Sequence, residues 1–357
     1  MTKRKIMGQV LLVGAVALGA SVAPGWAQAS SGGAGDELVA ASVAREDALA
    51  LLIEASRDEN ALVRANAIEA LEEASGRIGE VALRGLSDPN EGVRTVSAMV
   101  IGRARLRDVA PAARALLSDS SDYARAAAIY ALRRCGFDEN PTPLAEMVVG
   151  HRDARVRAHA AFILGELGDR SAIPLLRQAA STPANRATPS ERRLLELQIS
   201  EALIKLGDER ELQTVRAALY PSRPEQLEAT ALAVQIIGEV RDRGSIDQLI
   251  YMSAYEGQGQ QRMPAEVRLA VADALAKMGN TEGTFIADEY ADHEMEAVRA
   301  QAAAVYGRVG RAENLKPLGR MMREDPSPLV RVAAAGAVLR LTTRTAERHA
   351  QVPGLDG

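Results

Sequence analysis

Residues 153–169 read DARVRAHAAFILGELGD. Apolar residues recur at the three- and four-residue spacing of one helix face, and Gly168 follows as a stop. Whether this is a single helix or one copy of a unit decides the fold. With Val156-Arg157 as the marker, the unit recurs. The positions equivalent to Arg157 are Arg64, Arg94, Arg125, Glu196, Thr230, Arg268, Arg299 and Arg331, at spacings of 30, 31, 32, 39, 34, 38, 31 and 32 residues. A period of this size is the mark of a stacked array of helical units.

The columns around the marker agree. Three residues on, the side chain is mostly small, as at Ala67, Ser97, Ala128 and Ala160. Seven and ten residues on, it is mostly apolar, as at Leu132 with Cys135 and Leu164 with Leu167. These offsets share one helix face. Gly136, Gly168, Gly207, Gly279 and Gly310 follow that helix in five copies. An earlier helix precedes each marker, as in VAPAARALL (109–117), AIPLLRQA (172–179) and NLKPLGRMM (314–322). Pro111, Pro174 and Pro317 stand near its start, where proline is tolerated. Asp58, Asp88, Asp119 and Asp325 fall in the turn, placed to cap the second helix or to bond across the turn.

The pattern D-x-x-x-x-V-R-x-x-A-x-x-x-L-G, clearest at 88–102 and good at 292–307 and 325–338, resembles the HEAT family. In particular it resembles the short HEAT-like repeats first grouped with phycobilisome lyases. The resemblance covers roughly 44–341. It implies an all-α fold, an α-solenoid (superhelix) of about nine helix pairs, in which each unit buries its face on its neighbours. The marker arginines and turn aspartates are expected to form a ladder between units.

The first 29 residues differ in kind. Lys3, Arg4 and Lys5 precede the apolar stretch Ile6–Val22, and Ala27-Gln28-Ala29 follows the helix breakers Pro24 and Gly25. This is the pattern of a secretory signal peptide, with an uncleaved membrane anchor as the alternative. Residues 30–43 read as a linker, and 342–357 as a polar, partly disordered tail. The expected destination is the periplasm or the medium, after cleavage near Ala29, with no stable membrane span thereafter. The only tryptophan, Trp26, leaves with the leader.

Removal of the leader leaves 40 basic and 47 acidic residues, a net charge of −7. That balance argues against nucleic-acid binding, which needs clustered positive charge. Cys135 is the only cysteine, so no intramolecular disulfide can form. Its column is otherwise held by apolar residues, which predicts a buried thiol of low reactivity. Aromatics make up only 3% of the chain, so the core is expected to be built from small aliphatic side chains.

No catalytic group, metal site or cofactor emerges from the residues. The four histidines, His151, His159, His293 and His349, are scattered. His293-Glu294 resembles one of the His-Glu pairs of deoxyhypusine hydroxylase, a di-iron enzyme on HEAT-like repeats, but no second repeat supplies a matching pair. The expected function is therefore non-enzymatic: an exported scaffold that binds another protein or peptide along the concave face. The alternatives are an enzyme of the bilin lyase or metal hydroxylase type on the same repeats, and a structural component of an envelope assembly.

Two surfaces are candidates. The row five residues after the marker points away from the core face and brings together Met99, Tyr130 and Phe162. The row nine residues after the marker adds Arg103 and Arg134 as a rim. An exposed apolar patch with an arginine rim is the composition of a binding hot spot. The second candidate is the pair of insertions at about 181–191 and 254–265, which carry Arg186, Arg192, Tyr255 and Arg262 on one edge of the array.

Overall fold

The computed structural model describes residues 34–254 and 262–350. The leader at 1–29 and its cleavage site lie outside the described residues. No strand occurs among the described residues, and the chain folds as nine successive helix pairs. They begin with α1 (Ala34–Ala55) and α2 (Ala61–Ala70), then α3 (Ser75–Gly85) and α4 (Glu91–Arg103). In the third pair a 3-10 run, Ala110–Ser118, takes the outer place beside α5 (Asp122–Arg134). Next come α6 (Thr142–Gly150) with α7 (Ala154–Leu167), and α8 (Ile173–Ser181) with α9 (Pro189–Lys205). They are followed by α10 (Leu212–Ala217) with α11 (Leu227–Glu239), and α12 (Ile246–Ala254) with α13 (Ala265–Lys277). The array ends with α14 (Thr284–Tyr290) and α15 (Glu296–Val309), then α16 (Leu315–Glu324) and α17 (Pro328–Ala350).

Two domain limits are corrected. Helix α1 starts at Ala34, inside the expected linker 30–43, and α17 continues to Ala350, through most of the expected tail. Both helices persist because they have a packing partner: each other. Arg45 of α1 donates to the Leu339 carbonyl (3.3 Å) and to the Thr342 and Thr343 hydroxyls (3.2 and 2.8 Å). Thr342 is buried.

Each inner helix, the second of its pair, packs on the next, and α17 packs back on α1 and α2. The array is therefore a closed ring. Glycines eight residues after the marker allow the close crossings. A Cβ on Gly102 would lie 2.5 Å from a Tyr130 ring carbon. On Gly165, Gly238 and Gly307 it would lie 2.8, 2.8 and 2.7 Å from the Cα of Ala202, Ala274 and Ala337. The partner residue stands six after its own marker in each of these three cases. At the seam Gly336, one turn earlier in α17, meets Ala70 instead, 2.8 Å from its Cβ. The last unit thus meets the first with a register displaced by about one turn, ~5 Å.

A polar ladder joins the units where helices enter the ring. Arg64 forms a two-bond fork with Asp88 (2.8 and 2.7 Å) of the next unit, and donates to the carbonyls of Asp58 and Glu59 in its own turn. Arg94 repeats this with Asp119, and Arg299 with Asp325. The turn aspartates thus bond across units, while Asn60, Asn90 and Asp153 cap the helices. Where a turn lacks aspartate the rung changes. Arg157 is 2% exposed and donates to four carbonyls, of Val148, Ala179, Thr182 and Pro183. These oxygens lie at the C-terminal ends of α6 and α8, where helix dipoles favour a cation. Arg268 turns to Glu289 and the Tyr290 hydroxyl, and Thr230 reaches only the Ala218 and Gln226 carbonyls.

Candidate binding surfaces

Packing of each inner helix on the next brings the inner-helix charges together. Arg103 bonds Glu69 (3.1 Å) and Glu72 (2.8 Å). Lys205 bonds Glu166 and Glu201, both at 2.6 Å. Lys277 pairs with Glu239 and with Asp273 (2.9 Å), which also takes Arg308 (3.1 Å). Across the seam Arg340 bonds Glu73 (2.9 Å). Burial pushes the Glu69 carboxyl up to about 7, against the pull of Arg103 and with the help of Glu72. Asp273 goes the other way: Lys277 and Arg308 outweigh its burial and hold it far below the usual carboxylate range. Most of the offset-nine charges on the inner face are thus paired with charges of the same or the next unit, Arg134 excepted.

Burial overturns the first candidate surface. Met99, Tyr130 and Phe162 are 5%, 0% and 6% exposed, so they form no surface patch. The offset-five row points away from its own outer helix, but stacking sets it against neighbouring inner helices. Tyr130 packs on the bare Cα of Gly102, and the Lys205 ammonium sits over the Phe162 ring at 5.0 Å. Arg103 is consumed by its two glutamates. Arg134 is different: it has no ion pair among the described residues, and its Nε is buried without a hydrogen-bond partner, as is the Tyr130 hydroxyl.

The insertion edge is only partly assembled as expected. Tyr255 lies outside the described residues. Arg262 bonds Glu289 (3.2 Å) beside Arg268, so it extends a ladder rung. Arg192 donates to the Ala187 carbonyl (2.6 Å), within the insertion itself. Arg186 lines a shallow open cleft of about 260 Å³ with Arg152, Arg155 and Glu191. Among the described residues, Arg262 on Glu289 stands apart from Arg186 and Arg192 of the first insertion.

Cys135 is buried as expected, with its Sγ donating to the Ile101 carbonyl (3.5 Å), and burial pushes the thiol up. His293 accepts from the Met295 amide (3.1 Å) through Nδ1, in a turn whose His293 and Glu294 carbonyls hold Arg299. Among the described residues no group of three or more His, Cys, Asp or Glu side chains is arranged to hold a metal ion. No helix among them is long and apolar enough to cross a membrane.

The surface that sequence reading missed is on the outside. Tyr220 in the turn after α10, Ile250 and Tyr251 on α12, and Phe285 on α14 are 64%, 43%, 58% and 56% exposed. The Tyr220 hydroxyl bonds Gln248 of α12 (3.0 Å), which ties the first two of these outer helices together. The outer helices are short and variable, so their solvent side shows no column to read against the marker.

The fold and surfaces together define a closed α-solenoid of helix-pair repeats. The chain belongs to the HEAT-repeat family: residues 79–150, 141–234 and 258–340 match the family described as HEAT repeats. No curated protein matches it. Among solved structures it is similar to the complex of CpcE and CpcF of phycocyanin lyase from Nostoc sp. (14% identity, TM-score 0.40, covering 77% of this chain and 99% of that one). It is also similar to human deoxyhypusine hydroxylase in complex with glycerol (19%, TM-score 0.35, 85% and 99%). An engineered protein is a third (13%, TM-score 0.33, 87% and 95%).

Proposed function

We propose that the chain is an exported, non-enzymatic interaction scaffold that meets a protein partner on the outer rim of the ring. The observation behind this reading is the exposed set of Tyr220 just after α10, Ile250 and Tyr251 on α12, and Phe285 on α14. The chain has only three Phe and seven Tyr, and exposed aromatics of this kind anchor protein interfaces. The closed ring supports the reading by offering a rigid platform. Its inner charged side chains face one another instead of a cavity, which favours binding over chemistry. Export is supported by the Lys3-Arg4-Lys5, apolar and Ala27-Gln28-Ala29 order of the leader.

The test is affinity capture of the tagged protein from the envelope fraction of its own host, beside a Tyr251→Ser/Phe285→Ser variant with an unchanged unfolding midpoint. A partner held by the wild type and lost by the variant is expected. Equal capture by both forms overturns the rim, and a bound metal or chromophore in the purified protein overturns the non-enzymatic reading. N-terminal sequencing should begin at Ser30, and persistent Trp26 fluorescence would show that the leader is retained.

A further inference from the structure

The aromatic rim has a charge pattern as well as an apolar one. On α12 the residues Asp247, Ile250, Tyr251 and Ala254 are exposed, at the three- and four-residue spacing of one helix face. On α14 the exposed stripe is Phe285, Asp288, Glu289 and, just beyond the helix end, Asp292. Neither helix contains a lysine or an arginine.

Two contacts fix how the stripes lie together. Arg268 donates through Nε to the Ser253 carbonyl at the end of α12 (3.2 Å) and through Nη1 to Glu289 of α14 (2.8 Å), so Ser253 and Glu289 lie side by side. Counted back along the two helices, Ile250 precedes Ser253 by about 5 Å and Phe285 precedes Glu289 by about 6 Å. The exposed apolar side chains of α12 and α14 therefore form one band. Tyr220 joins it from the turn after α10, with its hydroxyl on Gln248 (3.0 Å), the neighbour of Asp247. Asp247 borders the band on one side, and Asp288 and Asp292 border it on the other. Asp247 forms no ion pair among the described residues. Asp288 accepts from the Tyr306 hydroxyl (2.6 Å), and Asp292 meets Arg320 (3.0 Å) but stays largely exposed.

We propose that this band docks a basic amphipathic helix of the partner, its apolar side on Tyr220, Ile250, Tyr251 and Phe285 and its Lys or Arg side chains against Asp247 and Asp288. The inference rests on the scaffold reading and names the partner's chemistry. An apolar strip bordered by carboxylates complements a helix whose apolar face is bordered by cations. The same charge disfavours other occupants. A second copy would set acid against acid, and an anionic lipid surface would be repelled. The net charge of −4 on the chain adds to that repulsion.

The probe is a fluorescein-labelled helix of leucine and lysine, LKKLLKLLKKLLKL, followed by anisotropy against the full chain. The wild type should bind it, less tightly as salt rises, and should not bind the glutamate twin LEELLELLEELLEL. Tyr251→Ser/Phe285→Ser should weaken binding about tenfold. Asp247→Asn/Asp288→Asn should weaken it about fivefold and flatten the salt dependence, with an unchanged urea midpoint. Glu46→Gln/Asp47→Asn, exposed on α1, controls for net charge and should change binding little. No binding by the wild type, equal binding of the glutamate twin, or equal weakening by the α1 control overturns the proposal. Self-association in light scattering that Tyr251→Ser/Phe285→Ser abolishes would assign the band to a second copy and overturn it too. A host partner captured through Tyr251 and Phe285, and held as well by the Asp247→Asn/Asp288→Asn form as by the wild type, would sink the basic occupant and leave the scaffold reading standing.

Discussion

Arg157 carries a guanidinium into the interior with no carboxylate to meet it, and burial pulls its pKa down. Four carbonyl oxygens take the place of the aspartate used elsewhere. Replacing it by methionine keeps an unbranched apolar stem and removes the donors to those oxygens, of which only that of Ala179 also accepts from the Thr182 amide, so Arg157→Met should cost about 3 kcal/mol in urea unfolding. Two half-buried groups set opposing pH dependences. Glu69 is raised from 4.5 to about 7, so between those values the unfolded chain has released a proton that the folded chain retains. Its contribution is present at acid pH and lost as pH rises towards about 7. Glu69→Gln should therefore gain about 2 kcal/mol over the wild type at pH 8 and little at pH 5, both from urea midpoints. His159, half-buried beside Tyr123, is lowered by desolvation from 6.5 to about 4, so its contribution is lost as pH falls through that window.

Helices pack here by two devices, and only one shows in the column pattern. The marker column and its apolar offsets are legible because each repeat needs the same core contacts. The rungs follow, since Arg94 and Arg299 find the next turn's aspartate at bonding distance. Arg331, the last marker, donates only to the carbonyls of Asp325 and Pro326, because the unit it meets is shifted by about a turn. Arg94→Ala should therefore destabilise by about 2 kcal/mol and Arg331→Ala by clearly less, judged by urea midpoints. The second device is the glycine at offset eight. It stands in only four inner helices, Gly102, Gly165, Gly238 and Gly307, and its partner lies a repeat away, so the spacing that reveals the markers does not reveal it. Gly307→Val should cost about 3 kcal/mol, since even a Cβ there meets the Ala337 backbone.

The whole molecule is decided at its seam. Nine units of this size could have stayed open, and an open array would have left the faces of α1, α2 and α17 that meet at the seam uncovered. Closure covers those faces and adds the Arg340–Glu73 pair to the ion pairs that already join adjacent units. Glu73→Ala would leave Arg340 mostly buried and unpaired, and should cost about 3 kcal/mol. Ending the chain before Pro328 should expose the faces of α1, α2 and α15 that α17 covers. That truncated form should self-associate in light scattering, while the full chain should not show the same concentration dependence.

The repeat period, the two helices per unit, the glycine stops, the buried Cys135 and the arginine ladder were all present in the one-dimensional pattern, because each depends on contacts within a unit or with the next one. Closure was not, because the ends that meet, Ala70 with Gly336 and Glu73 with Arg340, are more than 260 residues apart and follow no repeat spacing. The curvature that joins them is the sum of small rotations at each helix crossing. Side chains set those rotations through packing in three dimensions, and the same rotations decide which inner residues face solvent.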